Sequence, residues 1–162
     1  MLVAVDQARL TTANTASSIN ARHFSGRAVL TGGNGNDTIL GGTNADSILG
    51  GGGVDLLLGF MGDDSIGGST KLAAGDTLPD GADTILGGMG KDKLFGGLGD
   101  DVLSGEEDND TLSGDGGTDL LFGGPGTDSP ASIALPDILD ADGVYSNAVF
   151  AANLIALLAA FP

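Results

Sequence analysis

Apolar residues recur along the middle of the chain, mostly at intervals of nine, and each stands two positions after an aspartate. An apolar residue between two outward-facing neighbours is what a three-residue strand offers when only its centre faces a core. The pattern therefore predicts a series of short strands whose inner residues are Ile39, Ile48, Leu57, Ile66, Leu78, Ile85, Leu94, Leu103, Leu112 and Leu121.

A glycine-rich turn precedes each strand, so the whole unit reads Gly-Gly-x-Gly-x-Asp-x-(Ile/Leu)-x and repeats from Gly32 to Asp128. Its sixth position is occupied by Asp37, Asp46, Asp55, Asp64, Asp76, Asp83, Asp92, Asp101, Asp110, Asp119 and Asp128. The aspartates are nine residues apart except on either side of Asp76, where the steps are twelve and seven. We predict that Gly67 to Ala82 holds two repeats, with one long turn, one short turn and a strand over 76–78.

The charge of the chain is concentrated in these repeats. The formal net charge is -16 at pH 7, and the chain contains 30 glycines and no cysteine. In an ordinary chain such a composition indicates disorder, because glycine is costly to order and like charges repel. The negative sign argues against nucleic acid as a partner and favours cations.

The turns carry the chemistry of a calcium site. Glycine permits positive backbone angles, so successive carbonyl groups can converge on one point. Asn44 and Asp108 replace the fourth-position glycine, and both residue types tolerate the left-handed region. Carbonyl and carboxylate oxygens suit calcium better than magnesium. We predict that the eleven aspartates bind calcium together with Gly32, Gly41, Gly50, Gly87, Gly96, Gly105 and Gly114.

Over residues 32–128 the chain resembles the RTX, or hemolysin-type, calcium-binding nonapeptide-repeat family. The resemblance implies an all-β fold, a right-handed parallel β-roll (a β-solenoid) with 18 residues per coil and short terminal caps. It also implies a chain that is disordered in the calcium-poor cytosol, leaves through a type I secretion channel and folds outside the cell. Such proteins carry an uncleaved export signal at the C-terminus.

A coil of eighteen residues stacks each aspartate over the one two repeats further on. The regular pairs are Asp37 with Asp55, Asp46 with Asp64, Asp83 with Asp101, Asp92 with Asp110, Asp101 with Asp119, and Asp110 with Asp128. Across the irregular segment the pairs would be Asp55 with Asp76, Asp64 with Asp83, and Asp76 with Asp92. We expect roughly six to nine calcium ions, in columns interrupted between Gly67 and Ala82.

Three zones follow from this division. Residues 1–31 are an N-terminal cap, with a short helix around Thr15 to His23 and a first strand over 28–31. Residues 32–130 are the roll, which Pro130 ends because proline cannot serve in a central ladder. Residues 131–162 form a cap helix, a secretion signal or both. Ala148 to Phe161 is apolar but shorter than the ~20 residues of a membrane-spanning helix.

No motif of an enzyme accompanies the repeats. The chain lacks His-Glu-x-x-His and Gly-x-Ser-x-Gly, and its one histidine, His23, has no partner nearby in sequence. We therefore predict a non-enzymatic, extracellular or cell-surface protein that folds on calcium. Ninth-position residues such as Leu58 and Phe95 would form outward apolar rows for self-association or adhesion. The alternative is the calcium-dependent folding and secretion segment of a type I secreted protease, lipase or toxin.

Overall fold

A computed structural model describes residues 7–12, 15–69, 80–132 and 138–140. The described residues form fourteen strands and no helix. The strands are β1 (Gln7–Thr11), β2 (Ser18–Asn20), β3 (Arg27–Gly33), β4 (Thr38–Leu40), β5 (Ser47–Gly51), β6 (Leu56–Met61), β7 (Ser65–Gly67), β8 (Thr84–Met89), β9 (Lys93–Leu98), β10 (Val102–Glu107), β11 (Thr111–Gly116), β12 (Leu120–Phe122), β13 (Ser129–Ser132) and β14 (Ile138–Asp140).

The strands form two parallel sheets, and each strand pairs with the strand two further along the chain. The odd sheet has the order β1-β3-β5-β7-β9-β11-β13, and the even sheet has the order β14-β12-β10-β8-β6-β4-β2. The chain thus winds through about six turns of roughly 18 residues. The prediction of an all-β parallel solenoid is confirmed.

The core consists of one apolar ladder from each sheet. In the odd sheet, Ile48 pairs in register with Ile66, which pairs with Leu94. In the even sheet, Ile39 pairs with Leu57, which pairs with Ile85. Every predicted inner residue that the structure describes is at most 2% exposed, and Leu78 lies outside the described residues. One residue per strand makes a thin core, so apolar burial at ~25 cal/mol per Å² is small against the entropy of ordering the glycines.

The predicted helix around Thr15 to His23 is wrong. Ser18–Asn20 is strand β2, and Ile19 is buried in register with Ile39 at the start of the even-sheet ladder. Burying one apolar residue against the exposed end of that ladder outweighs the weak helical pattern. The predicted first strand over 28–31 is present within β3, and β1 pairs with it on its outer side.

The prediction that 67–82 contributes two repeats is also wrong. Strand β6 pairs directly with β8, and β7 pairs directly with β9. The step from Asp55 to its stacked neighbour Asp83 is 28 residues instead of 18, so ten residues are inserted into one turn. The predicted strand over 76–78 lies outside the described residues.

The last described strands of the odd and even sheets are β13 and β14. Pro130 pairs with Leu112, and its strand β13 is the edge of the odd sheet in the described part of the chain. An edge position tolerates proline because no further strand needs its missing N–H. The predicted C-terminal cap helix, which the sequence places from Ser146 or Asn147 to about Ala160, lies outside the described residues. Within the described ranges, no helix has the length and apolar character to cross a membrane.

Candidate metal centre

The turns stack the repeat aspartates into two columns, one along each side of the roll. One column contains Asp37, Asp55, Asp83, Asp101 and Asp119, and the other contains Asp46, Asp64, Asp92, Asp110 and Asp128. Each aspartate is at most 7% exposed. Asp76 lies outside the described residues, and the columns run past the insertion without a gap.

A hydrogen bond joins each aspartate to the next one in its column. The backbone N–H of Asp37 donates to Oδ1 of Asp55 at 2.8 Å, and that of Asp83 donates to Oδ1 of Asp101 at 2.8 Å. The regular pairs predicted from the eighteen-residue coil are all present. The pairs predicted across 67–82 are wrong, because Asp55 bonds to Asp83 and Asp64 bonds to Asp92. The cause is the ten-residue insertion, which adds to the step without adding a coil.

The second carboxylate oxygen, Oδ2, is the exceptional atom of the site. It is buried and has no hydrogen-bond partner among the described residues in Asp37, Asp55, Asp64, Asp83, Asp92, Asp101, Asp110 and Asp128. A buried carboxylate oxygen without a partner is costly, because desolvation of the charge is not compensated. Asp46 differs, since its Oδ2 accepts the N–H of Gly42 at 2.6 Å.

In eight of the column aspartates, Oδ2 lies near a glycine carbonyl of the next coil. A Cβ placed on Gly96 would collide with both Oδ2 of Asp101 and the carbonyl oxygen of Gly114. Two oxygens therefore lie within 3.0 Å of one point at each such glycine. The same pairing of aspartate and carbonyl occurs for Asp37 and Gly50, Asp46 and Gly59, Asp55 and Gly68, Asp64 and Gly87, Asp83 and Gly96, Asp92 and Gly105, Asp101 and Gly114, and Asp110 and Gly123.

Most predicted site glycines lie at these pairs. Gly50, Gly87, Gly96, Gly105 and Gly114 each present a carbonyl to an aspartate of the preceding coil. Gly32 and Gly41 are at the first aspartate coil and instead leave room for Oδ2 of Asp37 and Asp46.

Sequence reasoning missed three glycine carbonyls. Gly59 and Gly123 stand five residues before an aspartate, as the other site glycines do, so the repeat pattern could have found them. Gly68 stands fifteen residues before Asp83, because the insertion separates them. No pattern of constant period could have found it.

Positive backbone angles occur at the second and fourth positions of the repeat, whereas the first-position glycines are required for space. Asp108 has φ +80 at the fourth position, as its replacement of glycine predicts, but Asn44 does not adopt a positive φ. Asn44 instead donates its side-chain amide to the carbonyl of Ser25 at 2.6 Å. At Gly96 the neighbouring oxygens exclude any side chain.

Burial raises the pKa values of six of the column aspartates from about 3.8. The pKa rises to about 6 for Asp55 and Asp92, about 7 for Asp64, Asp101 and Asp110, and about 8 for Asp83. Desolvation is the largest cause, and neighbouring carboxylates add to it. The backbone hydrogen bond to Oδ1 partly opposes the rise.

These atoms fit a hard divalent cation. Calcium binds six to eight oxygens at 2.3–2.6 Å and accepts irregular angles. Within the described ranges, no three carboxylate or imidazole side chains form a metal-binding group, so side chains alone do not make a site. A calcium ion would be held by the aspartate Oδ2 atoms together with glycine carbonyls, and it would supply the positive charge that the buried carboxylates lack.

The fold and these turns define a class of protein, the parallel β-solenoid whose turns are calcium-binding loops. Within that class, a family model described as the RTX calcium-binding nonapeptide repeat, in four copies, matches residues 31–66, 80–103 and 95–130. The matched segments cover just over half of the chain, and this chain belongs to that family. The gap in the match contains the ten-residue insertion. No curated protein and no solved structure matches the chain.

The family fixes the role of the repeats. They bind calcium, and the roll that they form is a structural domain that is not catalytic by itself. Proteins with such repeats are typically secreted.

Proposed function

We propose that this chain is a secreted calcium-binding structural protein that leaves the cell through type I export and folds when it meets extracellular calcium. The observation that supports this most is the pair of buried aspartate columns with unpartnered Oδ2 atoms. Without a cation the columns place like charges in a desolvated environment, which opposes folding. Calcium in the external medium would remove that cost and make folding conditional on export.

A calcium titration tests this proposal. Circular dichroism and hydrodynamic radius should report gain of β structure and compaction at calcium concentrations of order 10⁻⁴ to 10⁻³ M, the range of extracellular modules. Magnesium should have little effect, because it demands a stricter octahedron. A chain that is fully folded at pH 7.5 in excess chelator would contradict the mechanism.

The number of ions can be measured separately. The sequence predicts roughly six to nine ions, and the eight aspartate–carbonyl pairs fall within that range. Because the Oδ2 of Asp46 already accepts a hydrogen bond, we expect its site to be the weakest. Native mass spectrometry of the calcium-saturated chain should therefore give seven or eight tightly bound ions. A count of two or three would contradict one site per aspartate–carbonyl pair.

We further propose that the folded chain self-associates through the outer face of the odd sheet. Phe95 and Leu98 on β9 are 37% and 48% exposed, and Lys93 is exposed on the same strand. Apolar side chains beside a cation suit the surface of a second copy, since the chain has 22 acidic residues and only six Lys and Arg. Leu49 and Leu58, which also stand at the ninth position of a repeat, are only partly exposed.

Sedimentation of two variants distinguishes this face from the opposite one. Phe95→Ser should reduce assembly in calcium, whereas Leu58→Ser, on the outer face of the even sheet, should leave it unchanged. Circular dichroism must show that both variants retain the calcium-bound roll. Assembly that survives Phe95→Ser would refute this interface and leave calcium-dependent folding untouched.

A further inference from the structure

The outer face of the even sheet contains a groove of about 640 Å³. Leu58 and Leu86, which pair in register on β6 and β8, form its floor. Met61 and Met89 line it further along the same two strands and are 50% and 55% exposed. A patch of this apolar character on a parallel roll indicates a contact surface.

Charged residues of both signs line the same groove. The guanidinium carbon of Arg22 lies 5.8 Å from the centroid of the Phe60 ring. Glu106 and Glu107, at the end of β10, also line the groove and are exposed. The carboxylates disfavour an acidic occupant, because like charges brought together repel.

Two strained residues face this groove from the same row. Phe60 has φ +80 and Glu106 has φ +77, and they pair in register with Gly88 between them. Glycine is the usual residue at this second position of the repeat, and a larger residue in the left-handed region costs of order 1–2 kcal/mol. A phenyl ring and a carboxylate are thus held at the groove against a local conformational cost.

We propose that residues 148–161 of the same chain dock in this groove as an amphipathic helix. This segment is uncharged and mostly apolar, so it brings no acidic group towards Glu106 and Glu107. Its sequence places Val149, Phe150, Leu154, Leu157, Leu158 and Phe161 on one helical stripe.

The segment follows a strand of the same sheet that carries the groove. The last described strand, β14, belongs to the even sheet, and Asp140 pairs with Phe122 in the row that continues through Ser104 and Leu86. Three strand intervals of ~4.8 Å, about 14 Å, separate β14 from β8. Residues 141–147 can span at most about 24 Å, which is more than this distance.

The dimensions of the segment also agree with the groove. Fourteen helical residues are about 21 Å long, which corresponds to about four strand intervals. A helix laid across the strands would therefore cover Leu86 and Leu58 on β8 and β6, together with the two methionines. The odd sheet would remain free for a second copy.

Methionine oxidation in the full chain tests the docking. Met61 and Met89 are both in the groove, and Met1 serves as an internal reference. In saturating calcium and dilute peroxide, we expect Leu154→Asp with Leu158→Asp to speed oxidation of Met61 and Met89 at least threefold over the unchanged chain. The matched control, Ala152→Asp with Ala159→Asp, adds the same charge to the opposite helical face and should oxidise as the unchanged chain does.

Two results would overturn the proposal. One is that Met61 and Met89 are oxidised at the same rate in the two double variants as in the unchanged chain. The other is an oxidation rate of Met61 and Met89 that decreases as the protein concentration is raised, because a second copy would then occupy the groove.

Disulfide trapping provides a test that does not require a disrupted helix. The chain has no cysteine, so Met89→Cys with Leu157→Cys introduces the only pair. Oxidation of the calcium-bound variant should give an intramolecular disulfide, whereas Phe95→Cys with Leu157→Cys, which uses the opposite sheet, should not. Equal cross-linking by both pairs would overturn docking in the groove.

Discussion

At the scale of the residue, the two carboxylate oxygens of each column aspartate have different roles. In Asp101, Oδ1 accepts the backbone N–H of Asp83 at 2.8 Å and so fixes one coil on the next. Its Oδ2 is buried without a hydrogen-bond partner among the described residues and lies near the carbonyl of Gly114. An amide in place of the carboxyl group would still accept the N–H of Asp83, but it would remove the negative charge with which Oδ2 would bind calcium.

Asp101→Asn should therefore change stability with opposite signs in the presence and absence of calcium. Without calcium, the amide removes a buried charge and can donate to the carbonyl of Gly114. The folding free energy in chelator should then become more favourable by roughly 1–4 kcal/mol. Trimethylamine oxide favours the folded state, so the variant should fold at a lower concentration of it than the unchanged chain does. With calcium, one site is lost and the calcium midpoint should rise. Circular dichroism in both conditions measures the two effects.

Asp100→Asn is the matched control for this change. Asp100 is exposed and its Oδ1 accepts the N–H of Thr118 at 2.8 Å, a role that an amide oxygen can also fill. It should change neither measurement appreciably. Destabilisation by Asp101→Asn in chelator as well as in calcium would show that Oδ2 is not an uncompensated charge.

The repeat aspartates could be predicted from the sequence because each follows the same five-residue turn. The partner of each aspartate could be predicted only where the period held, and Asp55 and Asp64 are paired with residues that a count of eighteen does not reach. The reason for the first-position glycines was also not evident from sequence. A period shows where glycine occurs, but only the stacking of coils shows that oxygens of the site occupy the space of a Cβ.

At the scale of the element, the ten extra residues are inserted at a single point of one turn, between Ser69 and Asp80. Gly68 and Ser69 correspond to the first and second positions of a repeat, and Asp80, Gly81 and Ala82 correspond to the third, fourth and fifth. Oδ2 of Asp80 accepts the N–H of Leu98, the third residue of the next coil, at 2.9 Å. The repeat is therefore complete without residues 70–79, and lengthening a turn costs little in closure entropy.

Deletion of residues 70–79 should leave the roll intact. The deletion restores the turn Gly68-Ser69-Asp80-Gly81-Ala82-Asp83, so strands β7 and β8 keep their partners and both aspartate columns remain complete. We expect an unchanged number of calcium ions and a calcium midpoint within twofold of the full chain. Native mass spectrometry and circular dichroism provide the measurements.

A deletion of equal length at residues 98–107 is the control, because it removes β10 and Asp101 and should abolish cooperative folding. Loss of one ion on deletion of 70–79 would instead show that Asp76 binds calcium. The sequence could not exclude that role, since Asp76 is followed by Thr77 and Leu78 as in a true repeat. Register is set by pairing over many strands, and a short local match is weak against it.

At the scale of the whole molecule, calcium and protons compete for the same columns. In the folded, calcium-free columns, six aspartates from Asp55 to Asp110 have pKa values of about 6 to 8, above the 3.8 of an unfolded aspartate. A group whose pKa is raised on folding stabilises the fold below its unfolded pKa and loses that contribution as the pH rises through its folded pKa. Acid should thus partly replace calcium.

In metal-stripped buffer we expect β structure to increase as the pH is lowered from 8 to 5. The calcium midpoint should rise over the same interval, because the ion must displace protons from Asp64, Asp83 and Asp101. Circular dichroism at each pH, with and without calcium, measures both trends. A metal-free chain that is more folded at pH 8 than at pH 5 would contradict the raised pKa values.

The insertion gives the molecule a mechanical signature. Force applied along the stack should detach coils one at a time from the ends, because each coil contacts only its neighbours. Each detached coil of 18 residues should lengthen the tether by about 60 Å, whereas the coil that contains residues 70–79 should lengthen it by about 95 Å. In an optical trap with calcium present, we expect a single longer step among equal ones. That step would report the detachment of the coil that contains the insertion.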